Sequence, residues 1–194
     1  MVRDIEIRKS LRERLADRHA REAGTRIVEE LGLCQGVARV DLAVVNGRLH
    51  GYEIKSESDT LARLPAQVEA YGRALEYVTI VVSPSHAERV AALIPSWWGI
   101  MRAVKRADSV CLVESKRPRP NPAISPFALA QFLWRDEALQ VLADHGLADG
   151  MRSKPRTALW QRLSTAVPLG ELGTIVREKL KQRGGDWRSP EPSA

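Results

Sequence analysis

Asp41, Glu53 and Lys55 are the residues whose types and spacing could do chemistry. They fall in two alternating segments, residues 37–45 and 49–55, separated by Asn46-Gly47, a pair that marks a hairpin turn. In the first segment Ala38, Val40, Leu42 and Val44 share one face, which leaves Asp41 on the other with Arg39 and Ala43. In the second, Tyr52 and Ile54 share a face and Glu53 and Lys55 take the opposite one. If Val40 and Leu42 meet Ile54 and Tyr52 in the core, Asp41 stands beside Glu53 with Lys55 one step along. A strict two-residue loop would pair Val45 with Arg48 and throw the two carboxylates onto opposite faces. The expectation is therefore a three-residue loop, or a bulge supplied by Gly47 or Gly51.

Two adjacent carboxylates repel each other unless a cation sits between them, and hard oxygen ligands of this kind suit magnesium. A neighbouring lysine can then orient or deprotonate a water and offset charge building on a phosphate. An Asp-Lys-Glu ion-pair cluster with a purely structural role is the competing reading of the same three residues.

The elements that must position them read as mixed α/β. An Arg/Glu-rich helix over residues 5–19 comes first, followed by a shorter one over 25–31, with Ile27, Val28 and Leu31 as its buried face and Gly32 as its stop. After the hairpin a helix runs from near residue 59 to 76, re-entered at Pro65. Residues 77–83 read as a strand buried on both faces, because Val78, Ile80, Val81 and Val82 are all apolar. Ser83-Pro84 opens a helix ending near Ile94-Pro95, and strands over 99–104 and 109–114 complete the sheet. Trp97 and Trp98 read as core or rim packing, with a base-stacking platform as the alternative. Asp59 reads as a helix cap.

Asp41, eleven intervening residues, then Glu53-Ile54-Lys55 resembles the signature of the PD-(D/E)xK nuclease superfamily, the restriction-endonuclease-like fold. Gln67-Val68-Glu69-Ala70-Tyr71 looks like the Gln-x-x-x-Tyr motif of its RecB-like branch, and the four-residue spacing puts Gln67 and Tyr71 on one helix face. The stretch from Gly51 to Ser56, with Asp59-Thr60-Leu61 and Arg63-Leu64-Pro65, is similar to a bacterial family of unknown function within that superfamily. The resemblance implies a mixed central sheet flanked by helices. It implies that Asp41, Glu53 and the Ile54 carbonyl bind Mg2+, with Mn2+ able to substitute, and that Lys55 positions the attacking water. It also implies an acidic residue from the preceding helix, for which Glu29 and Glu30 compete and Glu30 is favoured, one turn beyond Ile27. Gln67 and Tyr71 would contact the substrate backbone or hold Lys55 and the ligands. Val40 stands where the family pattern has proline, and Gly36 precedes Asp41 by two residues more than the RecB-like Gly-x-x-Asp allows.

Charge is unevenly spread over the 194 residues: 17 Lys/Arg against 16 Asp/Glu in residues 1–115, then 13 against 8 in the remainder, within a net +6. A break at residues 116–122, where three prolines alternate with basic and polar residues, reads as a linker between an α/β domain over 1–115 and a basic helical module over 123–188. The module suggests helices over 126–144, 156–165 and 169–183, and residues 189–194 read as a frayed tail. Lys179, Lys181 and Arg183, with Arg188 and a second cluster at residues 152–156, are candidates for phosphate contact, which supplies sequence-independent affinity; a solvated face is the alternative. No apolar run suits a membrane span, and the charged N-terminus lacks a signal peptide's apolar core, so a cytoplasmic protein is expected. Two cysteines cannot build a disulfide framework. The expected partner is DNA. Oligomeric state is left open, a homodimer included, and a non-catalytic DNA-binding or scaffold protein on the same fold is the rival to a nuclease.

Overall fold

A computed structural model describes residues 2–107 and 109–183. It is an α/β protein whose mixed six-stranded sheet runs in sequence order, β1 (Arg26–Leu33), β2 (Ala38–Val45), β3 (Leu49–Lys55), β4 (Tyr77–Val82), β5 (Gly99–Arg106) and β6 (Ser109–Lys116). The β1–β2 and β2–β3 pairs are antiparallel, β3–β4 and β4–β5 are parallel, and β6 returns antiparallel to β5. The parallel pairs need crossovers, supplied by α2 (Leu64–Ala74) and α3 (Ala87–Leu93).

Helix α1 (Asp4–His19) covers one face. Ile7, Leu11 and Leu15, spaced four apart, bury a single stripe against Leu42, Val44, Tyr52 and Ile54. The other face carries the larger core, in which Val45, Leu49, Val78 and Ile80 pack with α2 and with the C-terminal helices α4 (Pro126–Ala130), α5 (Arg135–Asp144), α6 (Arg156–Ala166) and α7 (Leu169–Gln182). That core is continuous from the sheet into the helical part. The proline-rich segment is fastened as well. Arg119 N–H donates to the Trp97 carbonyl at 2.8 Å, and the Asn121 amide donates to the Gly72 and Leu75 carbonyls at 2.7 and 2.8 Å.

Several expectations need correction. Residues 26–33 form an edge strand, where a helix over 25–31 was expected. Ile27, Val28 and Leu31 fit either period over so short a window, and the β-branched pair prefers the pleated surface that β2 offers. Ile27 leans toward the α1 side while Val28 enters the larger core, which is strand alternation. α2 starts at Leu64, with Pro65 in its first turn, and not near residue 59, because Asp59 ties the preceding loop by accepting from Ser56 N–H and Oγ at 2.7 and 2.6 Å. The helix expected over 126–144 is split into α4 and α5. The expected tail, residues 189–194, and Arg188 lie outside the described residues.

Candidate active site

The hairpin register decides where the carboxylates go. Val45 pairs with Leu49, so the loop is the three-residue Asn46-Gly47-Arg48, pinned by Arg48 N–H donating to Asn46 Oδ1 at 3.0 Å. No bulge at Gly51 is used. Gly51 is small for another reason, since a Cβ there would come within 2.5 Å of Leu75 Cδ1.

The β2–β3 ladder stops at Leu42 and Tyr52. Beyond it the strands fork. The Asp41 side chain fills the fork, and its Oδ2 accepts from Ile54 N–H at 2.7 Å, taking a donor that a continued ladder would have given to a backbone carbonyl. Alternation in β2 breaks at this point, because Val40 joins the larger core while Leu42 faces α1. Opposite it in β1, Glu30 has φ 56°, a left-handed conformation uncommon for a residue with a Cβ, and Val28 and Leu31 consequently both face the larger core. Strain of this kind concentrates where side chains must be aimed.

The fork opens into a cavity of about 620 Å³ whose wall includes Asp41, Glu53, Ile54, Lys55, Glu30 and Gln67. Glu53 and Lys55 sit at the carboxyl end of β3, beside parallel β4, a position where open α/β sheets commonly place ligands. Both are almost wholly buried, and Lys55 Nζ donates to Glu53 Oε1 at 2.6 Å. Gln67 Nε2 donates to the same oxygen at 2.6 Å. The Tyr71 hydroxyl lies 2.6 Å from both Glu53 Oε2 and the Arg39 carbonyl and, with one hydrogen, donates to one of them at a time. Trp98, fully buried, stacks on the Tyr71 ring at 5.9 Å and fixes its plane, so the tryptophan pair serves packing.

Burial pushes the Glu53 carboxyl above the ordinary range, and the Asp41 charge adds to that. Asp41 is also raised, by burial first, against the opposing pull of Ile54 N–H and Arg8. Tyr71 is pushed up by burial and by the Glu53 carboxylate it faces. Among the described residues no three His, Cys, Asp or Glu side chains converge as a ready ligand set. The donors present nonetheless suit magnesium, which takes one or two carboxylates and fills the rest of its shell with water. Asp41 Oδ1 and Oδ2 and Glu53 Oε2 each keep acceptor capacity beyond the bonds they make. The Gln67 amide oxygen is buried with no hydrogen-bond partner and is itself a hard ligand.

The structure separates the remaining candidates. Glu30 lines the cavity from a strand instead of a helix, with Arg8 and Arg39 at 3.1 and 3.6 Å, whereas Glu29 turns to Arg12 at 3.0 Å outside it. Lys179, Lys181 and Arg183 lie on or just past α7, outside this cavity. Arg183 is buried, with its guanidinium donating to Glu137 and the Phe132 carbonyl and stacked over Trp134, so its donors are committed internally. Lys181 pairs with Glu178 at 2.6 Å. Sequence reasoning missed Asp4 and Arg8, four apart on α1, which reach the cavity from the far side of the sheet. Arg8 Nη2 donates to Asp41 Oδ1 at 2.7 Å. Arg63, exposed at the cavity wall, was likewise given no role.

Fold and site together define an α/β protein with a mixed sheet, covered on both faces, that holds two carboxylates and a lysine at a fork between strands. The chain belongs to the family described as Bacteriophage P4 protein cII, which it matches over residues 2–186. It is 29% identical to protein cII of Enterobacteria phage P4 over 183 residues, 94% of this chain and 68% of that protein. A protein of unknown function from Silicibacter pomeroyi, of solved structure, covers 71% of this chain and 90% of its own at 23% identity and a TM-score of 0.38. Among the described residues no helix is long and apolar enough to cross a membrane.

Proposed function

We propose that this chain is a Mg2+-dependent deoxyribonuclease that hydrolyses phosphodiester bonds of DNA at the β2–β3 fork, as its PD-(D/E)xK-like motif implies. The observation that carries the reading is the convergence of Asp41, Glu53 and Lys55 on one cavity, with Gln67 and Tyr71 both bonded to Glu53. Asp41, Glu53 and the Ile54 carbonyl would hold the divalent cation. When bound, the cation supplies Lewis acidity toward a phosphate oxygen and lowers the pKa of water.

The protein's own groups account for the rest. Tyr71 and Gln67 fix the Glu53 carboxylate so that it need not reorganise during reaction. Glu53 in turn holds the Lys55 ammonium at the cavity wall, using one of its three N–H groups. The remaining N–H groups position a water for attack and donate to a non-bridging phosphate oxygen as negative charge grows there. One oxygen–phosphorus bond forms from the water, which gives up a proton to solvent, while the bond to a bridging oxygen breaks and that oxygen leaves and takes up a proton from solvent. Arg39 and Arg63, both exposed at the cavity wall, are placed to meet flanking phosphates.

A non-catalytic nucleic-acid-binding role on the same fold is favoured by one observation, that every oxygen of Asp41 and Glu53 already has a protein partner. Incubating the purified protein with single- and double-stranded DNA, linear and circular, with and without magnesium, separates the two. Magnesium-dependent strand scission, lost in Asp41→Asn, supports the nuclease. Binding without scission under every condition supports the rival.

A further inference from the structure

The cavity already contains a cation of the protein's own. Arg8 reaches across from α1, and its guanidinium lies 2.7 Å from Asp41 Oδ1, 3.1 Å from Glu30 Oε1 and 3.4 Å from Asp4 Oδ1. It also donates to the Asp41 backbone carbonyl at 3.2 Å. Three acidic residues from three different elements therefore share one guanidinium. Lys55 plays the equivalent part for Glu53 at 2.6 Å. Arg12, one turn further along α1, pairs instead with Glu29 outside the cavity.

The arrangement has a consequence for loading. Ile54 N–H holds Asp41 Oδ2 and Arg8 holds Oδ1, so a cation bound through Oδ1 must share that oxygen with the guanidinium. A guanidinium beside a carboxylate lowers the site's attraction for a second positive charge, and the partly buried setting screens that repulsion less than water would. We infer that Arg8 is a resident counter-cation that competes with the divalent cation for Asp41 and keeps the site weakly loaded until the guanidinium is drawn away. The inference rests on the metal-site reading of Asp41 and Glu53. Arginine suits the role because it cannot lose its proton and because its fork serves Asp41 and Glu30 together. Once released, the same group is within the cavity that would receive a phosphodiester, which a guanidinium binds through paired N–H donors.

The test is isothermal titration of Mn2+ into the full chain at neutral pH, comparing wild type, Arg8→Gln, Arg8→Lys and Arg12→Gln, with circular dichroism checking that each is folded. Competition predicts that Arg8→Gln binds Mn2+ about tenfold or more tightly than wild type. Arg8→Lys, which keeps the charge, stays near wild type, and so does Arg12→Gln, which removes an equal charge outside the cavity. Equal or weaker binding by folded Arg8→Gln overturns the inference and makes Arg8 a brace for the carboxylates. Equal tightening by Arg12→Gln also overturns it, since net charge alone would then be responsible. If neither wild type nor Arg8→Gln takes up Mn2+, the metal-site reading itself fails and the inference falls with it; if both bind with one affinity, only the inference fails.

Discussion

Glu53 is the residue on which the site turns, because Lys55, Gln67 and Tyr71 all bond its two carboxylate oxygens. Burial, and then the Asp41 charge, raise this carboxyl, the bonds from Lys55 and Tyr71 oppose that rise, and Gln67 donates to the same oxygen as Lys55. Tyr71→Phe removes one donor while keeping the ring that stacks on Trp98. We expect it to cost about 1–2 kcal/mol in urea unfolding and to slow DNA cleavage about tenfold with little change in DNA affinity. Unchanged cleavage in that variant would assign Tyr71 to packing alone. Glu53 and Lys55 were legible because the three-residue turn fixes the β2–β3 register and strand alternation carries it along β3. Asp41 lies past the end of that ladder, where alternation in β2 breaks, and reaches the site by bonding Ile54 N–H across the fork. Arg8 was not legible. On an Arg/Glu-rich helix it is indistinguishable from its solvated neighbours until the crossing of α1 over the fork is known. Arg183 failed in the opposite direction, since its basic neighbours suggested an exposed cluster while its own guanidinium turns inward to Glu137.

At the scale of the element, β3 carries the site at one end and a half-buried imidazole, His50, near the other. Its ring nitrogens face the Thr79 hydroxyl at 2.9 Å and the Tyr52 hydroxyl at 3.2 Å, and the ring stacks on Tyr52. Burial lowers the His50 pKa from an ordinary 6.5 to about 3. Between those values the unfolded chain takes up a proton that the folded chain does not, so His50 favours folding fully above about 6.5, and that contribution is lost as pH falls toward 3. The component is on the order of a few kcal/mol. Urea unfolding of wild type and His50→Gln across this window should show a shallower decline on acidification for the variant. Parallel declines would place His50 outside the acid sensitivity. β1 was the least legible element. Three of its four apolar residues, Ile27, Val28 and Leu31, also suit a helical period, and only the open edge of β2 selects the strand.

Across the whole molecule, the sheet and the C-terminal helices share one core, so charge and packing in the helical part must be tested separately. Arg183→Gln leaves the partly buried Glu137 without its cation and the Phe132 carbonyl without its donor, and should cost about 2 kcal/mol in urea unfolding, whereas Lys179→Gln should cost almost nothing. An equal cost for the two would contradict the buried-pair account. If Arg39 and Arg63 meet phosphates, replacing both by Gln should reduce the magnitude of the log–log salt slope for duplex DNA by about 2, equally for all sequences. An unchanged slope would move phosphate contact to another face. The α/β class, the mixed sheet and the helical C-terminal part were legible from apolar periodicity and proline placement. The shared core was not, because proline alternation reads the same whether a segment hangs free or is tied down by Asn121 and Arg119. Single-turnover cleavage of a duplex in magnesium by wild type and Lys55→Ala decides whether the β2–β3 fork carries the proposed nuclease activity. Wild type should cut the duplex, and Lys55→Ala should lose at least about a hundredfold in rate with duplex affinity nearly unchanged. Full magnesium-dependent scission by Lys55→Ala would contradict the proposed activity at the fork.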